Sequence, residues 1–172
     1  IKKLGDGGAK AAIVVGGGYI GIEMAENLKQ RGLDVDLVEM AGQIMMPMDR
    51  EMTRALEDHI RANGVRLHLG SPAAAFADDA GRVRVELANG HTVTADLAIM
   101  SAGVKPESAL ASAAGLETGS RGGIKVDPHL RTSDPAIYAV GDAIEVTDNA
   151  TGGGAQIPLA GPANRQGRIA AD

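Results

Sequence analysis

The apolar residues of this chain change period several times, and each change marks an element. Residues 11–15 form a short apolar run that breaks into three consecutive glycines at 16–18. The segment "IVVGGGYIGIEMAE" then turns helical, with Ile20, Met24 and Leu28 at i, i+4 and i+8 predicting one buried face. Gly32 predicts the stop of that helix. Val35, Leu37 and Val38 predict a second strand closing at Glu39. Strand, glycine turn, helix and strand in about thirty residues make one βαβ unit.

Asp49 predicts the cap of a second helix, with Met52, Leu56 and Ile60 buried and Asn63-Gly64 ending it. Val65, Leu67 and Leu69 alternate with Arg66 and His68, the pattern of a third strand. A different grammar follows: Val83, Val85 and Leu87 alternate, Asn89-Gly90 turns tightly, and Thr92 to Thr94 return. That pattern predicts an antiparallel hairpin. Residues 97–100 predict another strand, ending in "SAGVKPE". The stretch "GLETGSRGG" lacks periodicity and sets an expected boundary between residues 1–115 and 116–172. Beyond it lie short strands expected at 124–126 and 137–140, a glycine loop at 152–154, and a helix beginning near Pro162. This tail has few apolar positions with which to bury a core of its own.

The expected fold class is therefore α/β: a Rossmann-like parallel sheet with helices and an added antiparallel hairpin sheet, followed by an incomplete segment. Composition narrows the class without changing it. Of 172 residues, 44% are hydrophobic and 23% charged, as in a globular protein. No apolar run approaches the roughly 18 residues a membrane helix needs, and no signal peptide is evident. No membrane partner is expected, and a cytoplasmic home fits. A net charge of -5, with no basic stripe, argues against nucleic acid. The absence of cysteine removes disulfides, thiolate metal sites and a cysteine nucleophile from this chain. His59, His68, His91 and His129 are scattered without ligand spacing, so no metal site is expected. Met45, Met46 and Met48 cluster in a loop, as apolar filling or a contact surface. The chain starts at Ile1 and stops after "NRQGRIAAD", which suggests a piece of a longer protein.

Gly16, Gly18 and Gly21 match G-x-G-x-x-G, with Gly17 in the second position. The pattern follows a strand, opens a helix and has Glu39 beyond it, the context a dinucleotide site needs. Gly16 permits the tight turn, Gly18 lets the backbone approach a diphosphate, and Gly21 lets helix and strand pack closely. The unpaired amides of the first helical turn favour phosphate charge. At the end of the second strand, Glu39 can accept hydrogen bonds from ribose hydroxyls. A 2′-phosphate there would meet a like charge and no adjacent arginine, which favours NAD over NADP. The alternative is a tight connection beside a solvated carboxylate.

Residues 132–143, "TSDPAIYAVGDA", resemble the second flavin-contacting motif of the pyridine nucleotide-disulfide oxidoreductases. "GGGYIGIEMAE", "VEMAGQIM", "GDAIEV" and "IPLAGPANRQGR" are similar to the branch of NADH oxidase, NADH peroxidase and coenzyme A disulfide reductase. The resemblance implies an NADH-binding domain at 1–115 and, at 116–172, an incomplete return segment of an FAD domain. It implies NADH as substrate, FAD as cofactor of the full-length enzyme, a thiol, disulfide or other small-molecule acceptor, and a homodimer. By position, Gly141 and Asp142 inherit contact with the flavin ribityl chain. Leu159 and Ala160 precede a helix whose amide end faces the flavin ring. Gly103 inherits contact with NADH.

Tyr19, with Ile20 beside it in the turn, corresponds to an aromatic that shields the flavin; packing over the turn is the alternative. Glu23 is similar to a glutamate near both rings, or is a first-turn carboxylate favoured by the helix dipole. The redox cysteine and first FAD fingerprint belong to a segment upstream, so no catalytic residue is expected here. Two other classes fit part of the pattern. A non-enzymatic NAD-binding regulatory module would explain residues 16–39 but not "TSDPAIYAVGDA". A single-Rossmann dehydrogenase would need an acid-base group and a substrate domain that the sequence does not present.

Overall fold

A computed structural model of the chain describes residues 8–171. Contacts divide it into two compact units, which meet in sequence at Gly103 and Val104.

The first unit is built on a parallel sheet. Strands β1 (Ala11–Val15), β2 (Asp34–Val38), β3 (Val65–His68) and β7 (Leu97–Met100) lie in the order β3-β2-β1-β7. Helices α1 (Tyr19–Gln30) and α2 (Arg50–Ala62) make the crossovers. Because β1 is buried on both faces, it reads as a continuous apolar run rather than an alternation. Ala12, Val14, Val35 and Leu37 face Ala25, Leu28 and Ile60 of the helices. Ile13, Val15 and Val38 face Val85, Leu87 and Ala95. The last three come from an antiparallel sheet, ordered β4 (Ala73–Asp79), β5 (Arg82–Leu87), β6 (Thr92–Ala95), so the hairpin is the second cover of the parallel sheet.

Several expectations shift by one position. The buried face of α1 runs through Gly21, Ala25 and Leu28, while Ile20 is 53% exposed. Glycine at 21 brings the helix close to β1 along that line and turns Ile20 outward. In α2 the buried positions are Thr53, Glu57 and Ile60, and Met52 is exposed. Glu57 is tolerated there because Arg50 reaches it at 2.6 Å and Arg61 at 3.6 Å. Asp49 stands at the N-cap, but its side chain makes no cap bond. Strand β4 has no signal in the sequence pattern: "AAAFADD" is mostly exposed and carries no alternation.

Within β2 one carboxylate is buried. Asp36 accepts from Arg66 at 2.9 and 2.6 Å and lies 2.8 Å from His68 Nε2. Burial pushes the Asp36 carboxyl up, but the Arg66 and His68 contacts outweigh it and hold it below the usual carboxylate range.

In the second unit, α3 (Ala109–Ala113) precedes strands β8 (Ile124–Lys125), β9 (Ile144–Thr147) and β10 (Gly154–Ala155), and α4 (Ala160–Ala171) closes the chain. The sheet order is β10-β9-β8, with β9 antiparallel to β10 and parallel to β8. The strand expected at 137–140 does not form. Tyr138 makes an isolated bridge to Arg131, and Ile137, Tyr138 and Val140 stay exposed. The strand starts instead at Ile144, after a 3₁₀ turn at Gly141–Ala143. The aperiodic stretch 115–123 lies inside this unit.

Candidate functional site

The glycine turn sits at the carboxyl end of β1, where parallel strands of this topology present ligands. Its glycines have different reasons to be glycine. Gly16 has φ +113°, and a side chain there would overlap the Ser101 carbonyl. A side chain at Gly21 would overlap the carbonyl oxygen of Gly16. At Gly17 a Cβ would press on Ile44 at 3.0 Å and on Glu39 at 3.2 Å. Gly18 has no neighbour within 4 Å of such a Cβ, and its φ is an ordinary -81°. Internal packing therefore explains three of the four, and Gly18 faces open space.

Two peptide planes set the turn. The Gly17 N–H donates to Glu39 Oε2 at 2.6 Å, and the Gly17 carbonyl accepts from the Met45 N–H at 2.8 Å. The other Glu39 oxygen accepts the Ala41 N–H at 2.8 Å. A carboxylate has room for about four hydrogen bonds, so Glu39 retains capacity for a ligand's hydroxyls. It is half-buried at the end of β2, held by its own backbone between His68 and Ser71.

Helix α1 begins at Tyr19 with Gly18 as N-cap and no side-chain cap, which leaves its first amides unpaired. These N–H groups and the helix dipole form an anion-binding end. Tyr19 is 54% exposed and Ile20 lies beside it in the first turn, equally open. Glu23 is exposed and falls outside the first turn, which contains no acidic residue. The helix starts at Tyr19, inside what the sequence pattern presents as turn, so Glu23 lies beyond the first turn where the dipole would favour it. Gly103 has φ +102° and comes two residues after Ser101, which itself touches the turn.

In the second unit, Asp142 and Ala160 share an open cleft of about 820 Å³ with Ala163, Asn164, Gly167 and Arg168. Gly141 has φ +81°, and its N–H donates to Gln166 Oε1 of α4 at 2.8 Å. Leu159, 41% exposed, immediately precedes α4. Among the described residues no group of His, Cys, Asp or Glu could hold a metal ion, and no helix is long and apolar enough to cross a membrane.

Met45, Ser101 and Gln166 escape a reading of the sequence alone. Each acts through hydrogen bonds to a residue far along the chain, which no local pattern announces.

Known proteins resemble the chain in both sequence and fold. The profile of the pyridine nucleotide-disulphide oxidoreductase family matches residues 2–167. An NADH oxidase of Methanocaldococcus jannaschii is 38% identical over 99% of this chain, which spans 38% of that protein. The structure of reduced CoADR-RHD from Bacillus anthracis superposes with a TM-score of 0.93 at 46% identity, covering 99% of this chain and 30% of that one. A water-forming NADH oxidase from Lactobacillus brevis, bound to NADH, superposes at 0.89 with 34% identity, covering 98% and 37%. The chain thus spans about a third of the length of these relatives.

Proposed function

The chain belongs to the pyridine nucleotide-disulphide oxidoreductase family, and we propose that it is the NADH-binding part of a cytoplasmic, homodimeric flavoprotein that passes hydride from NADH to FAD and on to a disulfide, peroxide or oxygen. The observation that carries this reading is the asymmetry of the glycine turn. Gly16 and Gly21 are required by backbone contacts inside the protein and Gly17 is tight against two side chains, whereas Gly18 faces open space next to unpaired helix amides.

In this reading the amides of Gly18, Tyr19 and Ile20 hold the diphosphate, and Gly16, Gly17 and Gly21 shape the turn that aims them. Glu39, already ordered by Gly17 and Ala41, accepts the adenosine ribose hydroxyls. A phosphate on that ribose would face the Glu39 charge, so NADH is preferred. Tyr19, exposed at the start of α1, covers the nicotinamide position, with Glu23 one turn further on and Gly103 lining the neighbouring strand end.

The second unit fits a flavin's polyol chain. Asp142 is an exposed carboxylate on a turn that Gln166 holds, in a cleft walled by the small residues Ala160, Ala163 and Gly167. Gly141 and Asp142 would hold the ribityl hydroxyls, and Leu159 and Ala160 would bring the α4 amides to the ring. The flavin, when bound, supplies the ring that accepts hydride. A regulatory NAD-binding module would have no use for this cleft.

Calorimetric titration of the chain with NADH and with NADPH tests the reading. NADH is expected to bind more tightly; equal affinities would remove the ribose role of Glu39, and binding of neither would overturn the assignment.

A further inference from the structure

We infer that Ser101 is a positioning residue for cofactor selection, acting on Glu39 through the single peptide plane between Gly16 and Gly17. The inference rests on the NADH reading of this turn.

The Ser101 hydroxyl shares its one proton between the Val15 carbonyl oxygen at 2.9 Å and that of Gly16 at 3.2 Å. Val15 already accepts the Ser101 backbone N–H at 2.7 Å. The Gly16 carbonyl, wedged against Gly21, accepts from the Ser101 hydroxyl. In a trans peptide the carbonyl and the following N–H point in opposite directions, and the described chain has no cis bonds. The N–H on the far end of this plane belongs to Gly17, and it donates to Glu39 Oε2 at 2.6 Å. Ser101 Oγ–H, the Gly16–Gly17 peptide and the Glu39 carboxylate therefore form one chain of hydrogen bonds. A bond at the carbonyl polarises the amide and strengthens its donation to the carboxylate.

Gly16 has no side chain and adopts φ +113°, and the plane is held by the packing of its carbonyl against Gly21 together with the bonds at its two ends. Removing the serine hydroxyl frees one end. The Gly17 amide then holds the carboxylate less firmly, and Glu39 loses the orientation that accepts ribose hydroxyls and repels a 2′-phosphate. Ser101 is half-buried behind the turn and contributes through Glu39.

The test is a titration of the chain with NADH and NADPH for S101A, S101T, E39Q and S101A/E39Q, with thermal unfolding recorded for each. S101A is expected to weaken NADH binding about five- to tenfold, the size of one lost hydrogen bond, and to narrow the preference over NADPH. S101T keeps a hydroxyl and is expected to restore both. In the E39Q background, S101A is expected to change NADH affinity within about twofold, because the two residues act as one unit. An equal loss for both cofactors in both backgrounds would show a merely structural serine and overturn the inference. So would an unchanged preference in S101A. If the unmodified chain binds neither cofactor, the NADH reading falls and the inference falls with it.

Discussion

Oε2 of Glu39 accepts the N–H of Gly17 at 2.6 Å, so the end of β2 is bonded directly to the glycine turn that follows β1. In the proposed reading, one residue therefore both selects the ribose and holds the loop that takes the diphosphate. Charge-assisted bonds of this kind are shorter and stronger than neutral ones.

Replacing Glu39 by alanine should therefore do two things at once. NADH affinity is expected to fall by an order of magnitude or more, as charge-assisted hydrogen bonds are lost. NADPH affinity should fall less, because the repulsive charge leaves with the carboxylate. Calorimetry on the variant reads both, and an equal drop for both cofactors would rule out a part in selection.

Gly18 and Gly21 should separate binding from folding. G21A forces a methyl into the Gly16 carbonyl, and overpacking of this kind costs about 1–3 kcal/mol, visible in denaturant unfolding. G18A meets nothing within 4 Å and should change stability by less than about 1 kcal/mol, as for a cap substitution, while NADH binding is lost. If G18A binds NADH normally, the diphosphate does not lie there.

Tyr19 offers an optical reading, since the chain has no tryptophan and two tyrosines, Tyr19 and Tyr138. NADH should quench tyrosine emission in the unmodified chain and leave the emission of Y19F unchanged. Persistent quenching in Y19F would place the nicotinamide elsewhere.

Asp36 should contribute to the acid limit of the first unit. Its folded carboxyl titrates below the unfolded one despite burial, because Arg66 and His68 hold the charged form. The stabilisation is thus present above the unfolded carboxylate range and is lost as pH falls through the folded value. Thermal stability should decline below about pH 4, and D36N should flatten that limb. At neutral pH D36N should cost about 1–3 kcal/mol, less than a fully buried pair because Arg66 is more than half exposed.

Where physics was local, the sequence was legible. The βαβ order, the Asn89-Gly90 hairpin and the strand at 97–100 all follow from period and turn chemistry, and the structure contains them. Reading failed where tertiary contact overrode the period. Ile20 and Met52 look like core positions, but Gly21 and the paired Glu57 take the buried faces instead. The apolar run at 137–140 lacks a neighbouring strand beyond one bridge, so it stays irregular.

By itself, the sequence determined the dinucleotide fold, the glycine turn and the acidic residue at the end of the second strand. Those depend on residue type at short spacing, and on backbone conformations that only glycine adopts cheaply. Only the tertiary structure decided that Ser101, Gly16, Gly17 and Glu39 share one line of hydrogen bonds. Parallel pairing places Val15 opposite both Val38 and Met100, and hydrogen bonds reach about 3 Å in space whatever the distance along the chain.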